Sequence, residues 1–206
     1  MVQSVWKHLA RERKYYKFTF LGGSMLKRIV IGVLIAGVVI VGGLAMVVAT
    51  QPEDFKVIRT TSVKASPDVI FSEINDFHNW DKWSPWAKLD PNMTTTYSGA
   101  PAGVGSSYAW VGNDEVGEGK MTVIESRPGE QVKIDLDFIK PFEARNVTEF
   151  FLKPNGGTTE VTWVMTGKKN FATKAFCLVM DMDKMVGGDF EKGLAQMKTV
   201  VESAAQ

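Results

Sequence analysis

The chain has 206 residues, a formal net charge of +1 and a single cysteine, Cys177. One cysteine excludes an intramolecular disulfide, so a folded domain must be held together by its apolar core. The charge is uneven: residues 1–50 hold seven basic and one acidic residue, whereas residues 51–206 hold 17 basic and 22 acidic residues. Because the second part is acidic, it disfavours nucleic acid as a partner.

The first 50 residues predict a basic leader followed by one membrane-spanning helix. The 21 residues from Ile29 to Ala49 contain no charged or strongly polar side chain, and as a helix they extend about 30 Å, the thickness of a bilayer's hydrocarbon core. All seven basic residues precede this run, which predicts a cytoplasmic N-terminus. We therefore expect a single-pass protein of the cytoplasmic membrane, with its domain outside the cytoplasm (on the periplasmic side in a Gram-negative cell).

The expected organisation has four parts: a basic cytoplasmic leader at 1–28, a transmembrane helix at 29–50, a linker at 51–54 and one domain at 55–206. The partner of residues 29–49 is then the membrane itself. Two alternatives stay open. The apolar run also fits a cleaved secretory signal, although it is longer than the usual core of 7–15 residues. Met25 is a second possible translation start, in which case residues 1–24 are an upstream extension.

The domain is predicted to begin with a strand at residues 55–65 and a helix after it. Ser66 is the expected N-cap, Pro67 the first helical residue and Asp68 an acid in the first turn. A short second helix or turn is expected within residues 77–86.

Beyond these helices, the apolar period changes to two, which predicts an antiparallel meander with one buried face. The clearest strand is 131–138, where the even-numbered residues are apolar and the odd-numbered ones polar. Weaker strands are expected at residues 93–98, 106–111, 120–125, 144–152 and 158–166.

The C-terminal part returns to a helical period. Its apolar residues are spaced mostly by three or four positions: Phe171, Ala175, Leu178, Met182, Met185, Phe190, Leu194, Met197 and Val201. Such a stripe predicts one long helix packed on the sheet, and Gly187-Gly188 predicts a kink or a break in it.

Five segments carry a resemblance to a known family: Ser66-Pro67-Asp68-Val69-Ile70-Phe71, the tryptophan-rich stretch 74–86, and residues 138–142, 159–163 and 188–194. Together they are similar to the SRPBCC superfamily of START and birch-pollen-allergen-like proteins, and most of all to its polyketide cyclase/dehydrase-like branch. The resemblance covers residues 55–203. It implies an α+β helix-grip fold, in which a curved antiparallel sheet of about seven strands wraps around a long C-terminal helix and encloses a cavity.

Aromatic and methionine side chains form the candidate binding surface. Large flat rings and flexible thioethers suit a sterol, quinone or lipid, although the same side chains also fill ordinary cores. The candidate cavity residues are Trp80, Trp83, Trp86, Tyr108, Trp110, Phe138, Phe142, Trp163, Met165 and Met182.

The sequence offers little for catalysis. His78 is the only histidine after residue 50, and it is a candidate proton shuttle or an ordinary surface histidine. No pair of His or Cys has the spacing of metal ligands, so we expect no metal site and no cofactor. We therefore expect a binding protein rather than an enzyme.

The leading hypothesis is a membrane-anchored binding or carrier domain for a hydrophobic small molecule or lipid. The alternatives are a polyketide cyclase/dehydrase-like enzyme and an envelope module that binds another protein.

Overall fold

The structure is a computed structural model, which describes residues 23–204. It divides into two compact units, with the boundary after Val47. The first unit contains all but the last two residues of helix α1 (Gly23–Ala49), whose 27 residues are long and apolar enough to cross a membrane. By length and composition the helix is a candidate membrane anchor or signal sequence. The predicted leader before Gly23 lies outside the described residues.

The second unit is one sheet with helices packed against it. Its elements are β1 (Asp54–Val63), α2 (Pro67–Asn75), a 3₁₀ helix (Phe77–Lys82), β2 (Thr94–Gly99), β3 (Ser106–Val111), β4 (Glu118–Arg127), β5 (Gln131–Lys140), β6 (Ala144–Asn155), β7 (Thr158–Lys168), α3 (Phe171–Phe176) and α4 (Met182–Ala204). All seven strands are antiparallel neighbours in the order β1-β7-β6-β5-β4-β3-β2. Helix α4 packs on β1, α2 and the 3₁₀ helix. The predicted α+β helix-grip fold is confirmed.

The core lies between the sheet and α4. On the predicted apolar face of β5, Val132 and Ile134 are fully buried and Leu136 and Phe138 are half-buried, whereas Gln131 on the predicted polar face is buried as well. Burying a large apolar side chain contributes about 1.5–3 kcal/mol, so this face drives the packing. The largest completely buried side chains include Ile70, Ile74, Phe77, Trp83, Phe150, Trp163, Phe190, Leu194 and Met197.

The tryptophan-rich segment is fixed to α2. Pro67 is the first residue of α2 and Ser66 is its N-cap, although the Ser66 hydroxyl makes no capping hydrogen bond. After α2, the indole Nε1 atoms of Trp80 and Trp83 donate to backbone carbonyls of its last turn, at 2.9 and 3.2 Å. These bonds satisfy two buried donors and hold the 3₁₀ helix in place.

The break in the C-terminal helix differs from the prediction. It lies between Phe176 and Met182, whereas α4 runs uninterrupted through Gly187 and Gly188. Gly187 has a packing role, because a Cβ there would collide with the guanidinium of Arg59.

The predicted apolar stripe is buried only in its second half. Phe190 and Leu194 are buried, as are Met197 and Val201, but Phe171, Leu178 and Met185 are exposed. Helix α4 packs along β1, whereas the segment before α4 lines only a shallow depression beside the start of that strand.

One end of the sheet is important for the site. Strand β1 starts at Asp54, which pairs with the last residue of β7, and we call this edge the Asp54 end. Helix α4 runs in the same direction as β1, because Asp183 in its first turn pairs with Arg59 and Lys198 donates to the Ser62 carbonyl further along the strand. The first turn of α4 therefore lies towards the Asp54 end.

Candidate ligand cavity

A cavity of about 320 Å³ lies between the concave face of the sheet, the 3₁₀ segment and the first half of α4. This volume is at the lower end of the range for small-molecule sites. Its aromatic lining consists of Trp80, Trp86, Tyr108, Trp110, Phe138, Trp163 and Phe190.

Seven of the ten predicted cavity residues line this space: Trp80, Trp86, Tyr108, Trp110, Phe138, Trp163 and Met165. The other three lie elsewhere. Trp83 is completely buried in the core, with its ring against Phe150 and Trp163. Phe142 lies in the turn after β5 and is 67% exposed. Met182 lines a separate shallow depression beside the start of β1.

The structure also brings residues to the cavity that the sequence analysis did not select. The apolar ones include Met93, Met121, Leu136, Val116, Met185, Val186 and Phe190. Leu136 shares the predicted apolar face of β5, and Phe190 belongs to the predicted helical stripe, so the sequence contained a signal for both. Val116 lies in the turn between β3 and β4, where no periodicity marks an inward side chain.

The wall next to α4 is a layer of packed rings. Trp163 stacks on Phe190, with centroids 4.0 Å apart and planes at 6°, and Trp86 contacts both rings edge-on. The Trp163 indole Nε1 donates to Thr148 Oγ1 at 2.7 Å, and that hydroxyl donates to the Val164 carbonyl at 3.1 Å. Because these polar atoms are paired within the wall, the rings present apolar faces to the cavity.

Tyr108 supplies a free polar group to the lining. Its hydroxyl has no hydrogen-bond partner within residues 23–204. Burial raises the pKa of Tyr108 to about 12, and the nearby Tyr97 and Asp81 add to this effect. The phenol is therefore protonated at neutral pH and is available to donate a hydrogen bond to a ligand.

The charged groups at the cavity are all acidic. Its lining includes Asp81, Glu115 and Asp189, whereas no Lys, Arg or His among residues 23–204 takes part in it. Asp189 is paired with Lys192 at 3.0 Å, but in the described part of the chain Asp81 and Glu115 have no ion-pair partner. Two unpaired carboxylates repel an anion and tolerate an uncharged or cationic group.

The N-terminal half of α4 is held against β1 by Arg59. Its guanidinium lies 3.0 Å from an Asp183 carboxylate oxygen and 2.6 Å from Glu191 Oε1. The hydrogen bond from Arg59 lowers the pKa of Asp183, and its bonds to Asp183 and Glu191 raise the pKa of Arg59. Since Met185 and Val186 lie on this half of α4, the cluster positions one wall of the cavity.

The candidate proton shuttle lies outside the cavity lining. His78 Nδ1 is 2.7 Å from Asp76 Oδ1, and its half-exposed ring stacks on Tyr97 with centroids 4.1 Å apart. Among residues 23–204, no group of three or more His, Cys, Asp or Glu is arranged to hold a metal ion.

Solved structures with this architecture come from bacteria and plants. The Aha1 dimer from Colwellia psychrerythraea is 17% identical, with a TM-score of 0.52 over 72% of this chain and 96% of that one. Major latex-like protein 151 from Panax ginseng is 16% identical, with a TM-score of 0.53 over 72% of this chain and 97% of that one. Protein CV1439 from Chromobacterium violaceum is 16% identical, with a TM-score of 0.51 over 73% of this chain and 99% of that one. At these identities the likeness concerns the fold alone.

No curated protein is significantly similar to this chain. The model of the family described as "Polyketide cyclase / dehydrase and lipid transport" matches residues 54–202, which is the whole sheet and nearly all of α4. The SRPBCC fold that the sequence resemblance implies is the fold observed, and its cavity is lined largely by aromatic and methionine side chains. The chain therefore belongs to the polyketide cyclase/dehydrase and lipid transport family.

Proposed function

We propose that this protein is a membrane-anchored binding or carrier protein for an uncharged hydrophobic small molecule or lipid. The observation that carries the proposal is the apolar cavity of about 320 Å³ between the sheet and α4. Membership in a family that includes lipid transport supports the same conclusion.

The driving force for binding is burial of apolar ligand surface, which contributes about 25 cal/mol per Å². The rings of Trp163 and Trp110 and the thioethers of Met121 and Met165 are among the groups that would surround the ligand. The Tyr108 hydroxyl would accept or donate one hydrogen bond and so fix the ligand's orientation. The unpaired carboxylates of Asp81 and Glu115 favour an uncharged ligand over a fatty acid or another anion.

We propose binding rather than catalysis for this cavity. The raised pKa of Tyr108 leaves it protonated at neutral pH, so its phenol is suited to hydrogen bonding and not to removing a proton. His78, the candidate proton shuttle of the sequence analysis, is outside the lining.

The proposed membrane topology follows the charge distribution. Residues 29–50 would span the cytoplasmic membrane, residues 1–28 would stay in the cytoplasm and the domain would lie on the opposite side. A tether of this kind raises the effective concentration of membrane-derived ligands at the domain.

Analysis of co-purified molecules tests the proposal. The full chain is purified in detergent and examined by native mass spectrometry and solvent extraction. Met121→Trp is the cavity variant, because Met121 lines the cavity, and Ile124→Trp is its matched control, because Ile124 is exposed on the same strand.

We expect the wild-type and Ile124→Trp proteins to retain an uncharged apolar molecule that Met121→Trp has lost. Identical bound molecules in all three proteins would overturn the proposal, since the ligand would then lie outside the cavity.

A further inference from the structure

We propose that the Asp54 end of the domain rests on the bilayer surface, so that the cavity mouth faces the lipid and the exposed apolar segment Phe171–Met185 inserts into the interfacial layer. The inference rests on the proposed membrane anchor.

The cavity is built towards the Asp54 end. Met93 precedes β2, Glu115 and Val116 lie in the β3–β4 turn, Phe138 is near the end of β5, and Met185 is in the first turns of α4. In an antiparallel sheet of this order, these positions share the edge at which β1 begins.

The opposite end of the sheet is covered by α2. Ser126 Oγ donates to Asn75 Oδ1 at 2.7 Å, and the backbone N–H of Gly103 donates to the Asn75 carbonyl at 3.0 Å. Ile70 and Ile74 of α2 are completely buried in the core. An opening for the ligand is therefore expected at the Asp54 end.

The same end exposes large apolar side chains. Val179 is 82% exposed and Phe171 57% exposed. Phe176, Leu178, Met180 and Met185 are also exposed, and Phe142 lies in the β5–β6 turn at the same edge. An apolar patch of this extent marks an interaction surface, and large apolar side chains are those that enter the boundary between headgroups and acyl chains.

Direct contacts fix this apolar segment beside the point where the chain enters the domain. The Lys169 N–H donates to the Glu53 carbonyl at 2.7 Å, and Lys174 Nζ lies 3.5 Å from Glu53 Oε1. Residues 177–183 line one depression together with Pro52 and the start of β1.

The connection to α1 is short. Helix α1 ends at Ala49 and β1 begins at Asp54, so four residues join them, and at full extension these reach about 14 Å. If α1 spans the bilayer, Glu53 and the segment beside it must lie at the headgroup layer. This proximity identifies the bilayer, rather than a soluble partner, as the occupant of the apolar surface. A membrane-derived ligand then enters the cavity without crossing bulk water.

Depth-dependent fluorescence quenching tests this arrangement in the full chain. In a Cys177→Ser background, Val179→Cys places a fluorophore in the apolar segment, and Asn155→Cys places the same fluorophore at the last residue of β6, which is at the opposite end of the sheet. Each protein is reconstituted into phosphatidylcholine vesicles with or without nitroxide-labelled phosphatidylcholine. Flotation after a carbonate wash reports whether the protein is anchored.

We expect lipid nitroxides to quench the label at position 179 about twofold or more and to leave the label at position 155 nearly unchanged. An anchored protein in which neither label is quenched, or in which both are quenched equally, would overturn the inference and leave the proposed anchor intact. A label at position 179 that is shielded from iodide but not quenched by lipid nitroxides would also overturn it, in favour of a protein partner or a second copy. Loss of the protein from floated vesicles would overturn the anchor and this inference together.

Discussion

The indole ring of Trp163 on β7 lies face to face with the phenyl ring of Phe190 on α4, with centroids 4.0 Å apart and planes at 6°. Both side chains are almost completely buried, and both line the cavity. The pair therefore joins the sheet to the helix and at the same time forms part of the wall that a ligand would contact. Stability and binding depend on the same rings.

Replacing Phe190 with alanine is expected to lower the free energy of unfolding by about 3–5 kcal/mol, because a buried aromatic ring is lost and a void remains. Phe176→Ala is the matched control, since Phe176 is exposed, and its effect should stay within about 0.5 kcal/mol. Urea unfolding of the full chain in detergent, followed by tryptophan fluorescence, measures both. Equal effects for the two variants would show that the stacked pair does not hold α4 to the sheet.

Adjacent glycines in α4 should respond in opposite ways to alanine. Gly188 faces open space, so Gly188→Ala should stabilise the protein by about 0.5–1 kcal/mol through helix propensity. At Gly187 the new Cβ would collide with the Arg59 guanidinium, which must then shift from its position beside Asp183 and Glu191. Gly187→Ala should therefore leave the free energy of unfolding unchanged or lower it. The same urea titration compares them, and an equal gain at both positions would contradict the packing described for Arg59.

Stability should depend on the protonation of Asp183. Its pKa is lowered in the folded protein by the hydrogen bond from Arg59, so the carboxylate stabilises the fold at pH values above the ordinary aspartate pKa of about 4. This contribution is lost as the pH falls through the lowered pKa. The difference in unfolding free energy between wild type and Asp183→Asn should be present at neutral pH and shrink below about pH 4.

Asp114→Asn is the control for this pH series, because Asp114 lies in the exposed β3–β4 turn and has no ion-pair partner within residues 23–204. The difference in unfolding free energy between wild type and Asp114→Asn should not shrink in this way at low pH. A difference for Asp183→Asn that stays constant from neutral to acidic pH would rule out the pairing with Arg59 as its source.

Much of the fold could be predicted from local patterns. The alternation along β5 gave its inward face, and the Ser66-Pro67-Asp68 sequence gave the start of α2. These features depend on a few neighbouring residues, since side-chain alternation and helix capping are local properties.

The predictions that differ from the structure have a common physical cause. Each of them depends on which elements meet in three dimensions. A helical apolar period at residues 171–185 indicates that one face needs an apolar partner, but not whether that partner is the core or something outside the domain. In the same way, the three-residue spacing of Trp80, Trp83 and Trp86 does not reveal that the middle ring lies in the core beneath the cavity. Glu115 and Val116 reach the cavity from a turn, where no pattern exists to mark them.

The most direct measurement is a titration of the full chain in nanodiscs with decan-1-ol and decanoate, followed by tryptophan fluorescence. We expect saturable binding of decan-1-ol by wild type and by Ile124→Trp. Its dissociation constant should be about tenfold lower than that of decanoate, because an anion would meet the unpaired carboxylates of Asp81 and Glu115. Met121→Trp should weaken decan-1-ol binding about tenfold or more, because the indole fills the cavity. Binding of decan-1-ol that is absent, or that is equally strong in Met121→Trp and Ile124→Trp, would contradict the claim that this cavity holds a hydrophobic ligand.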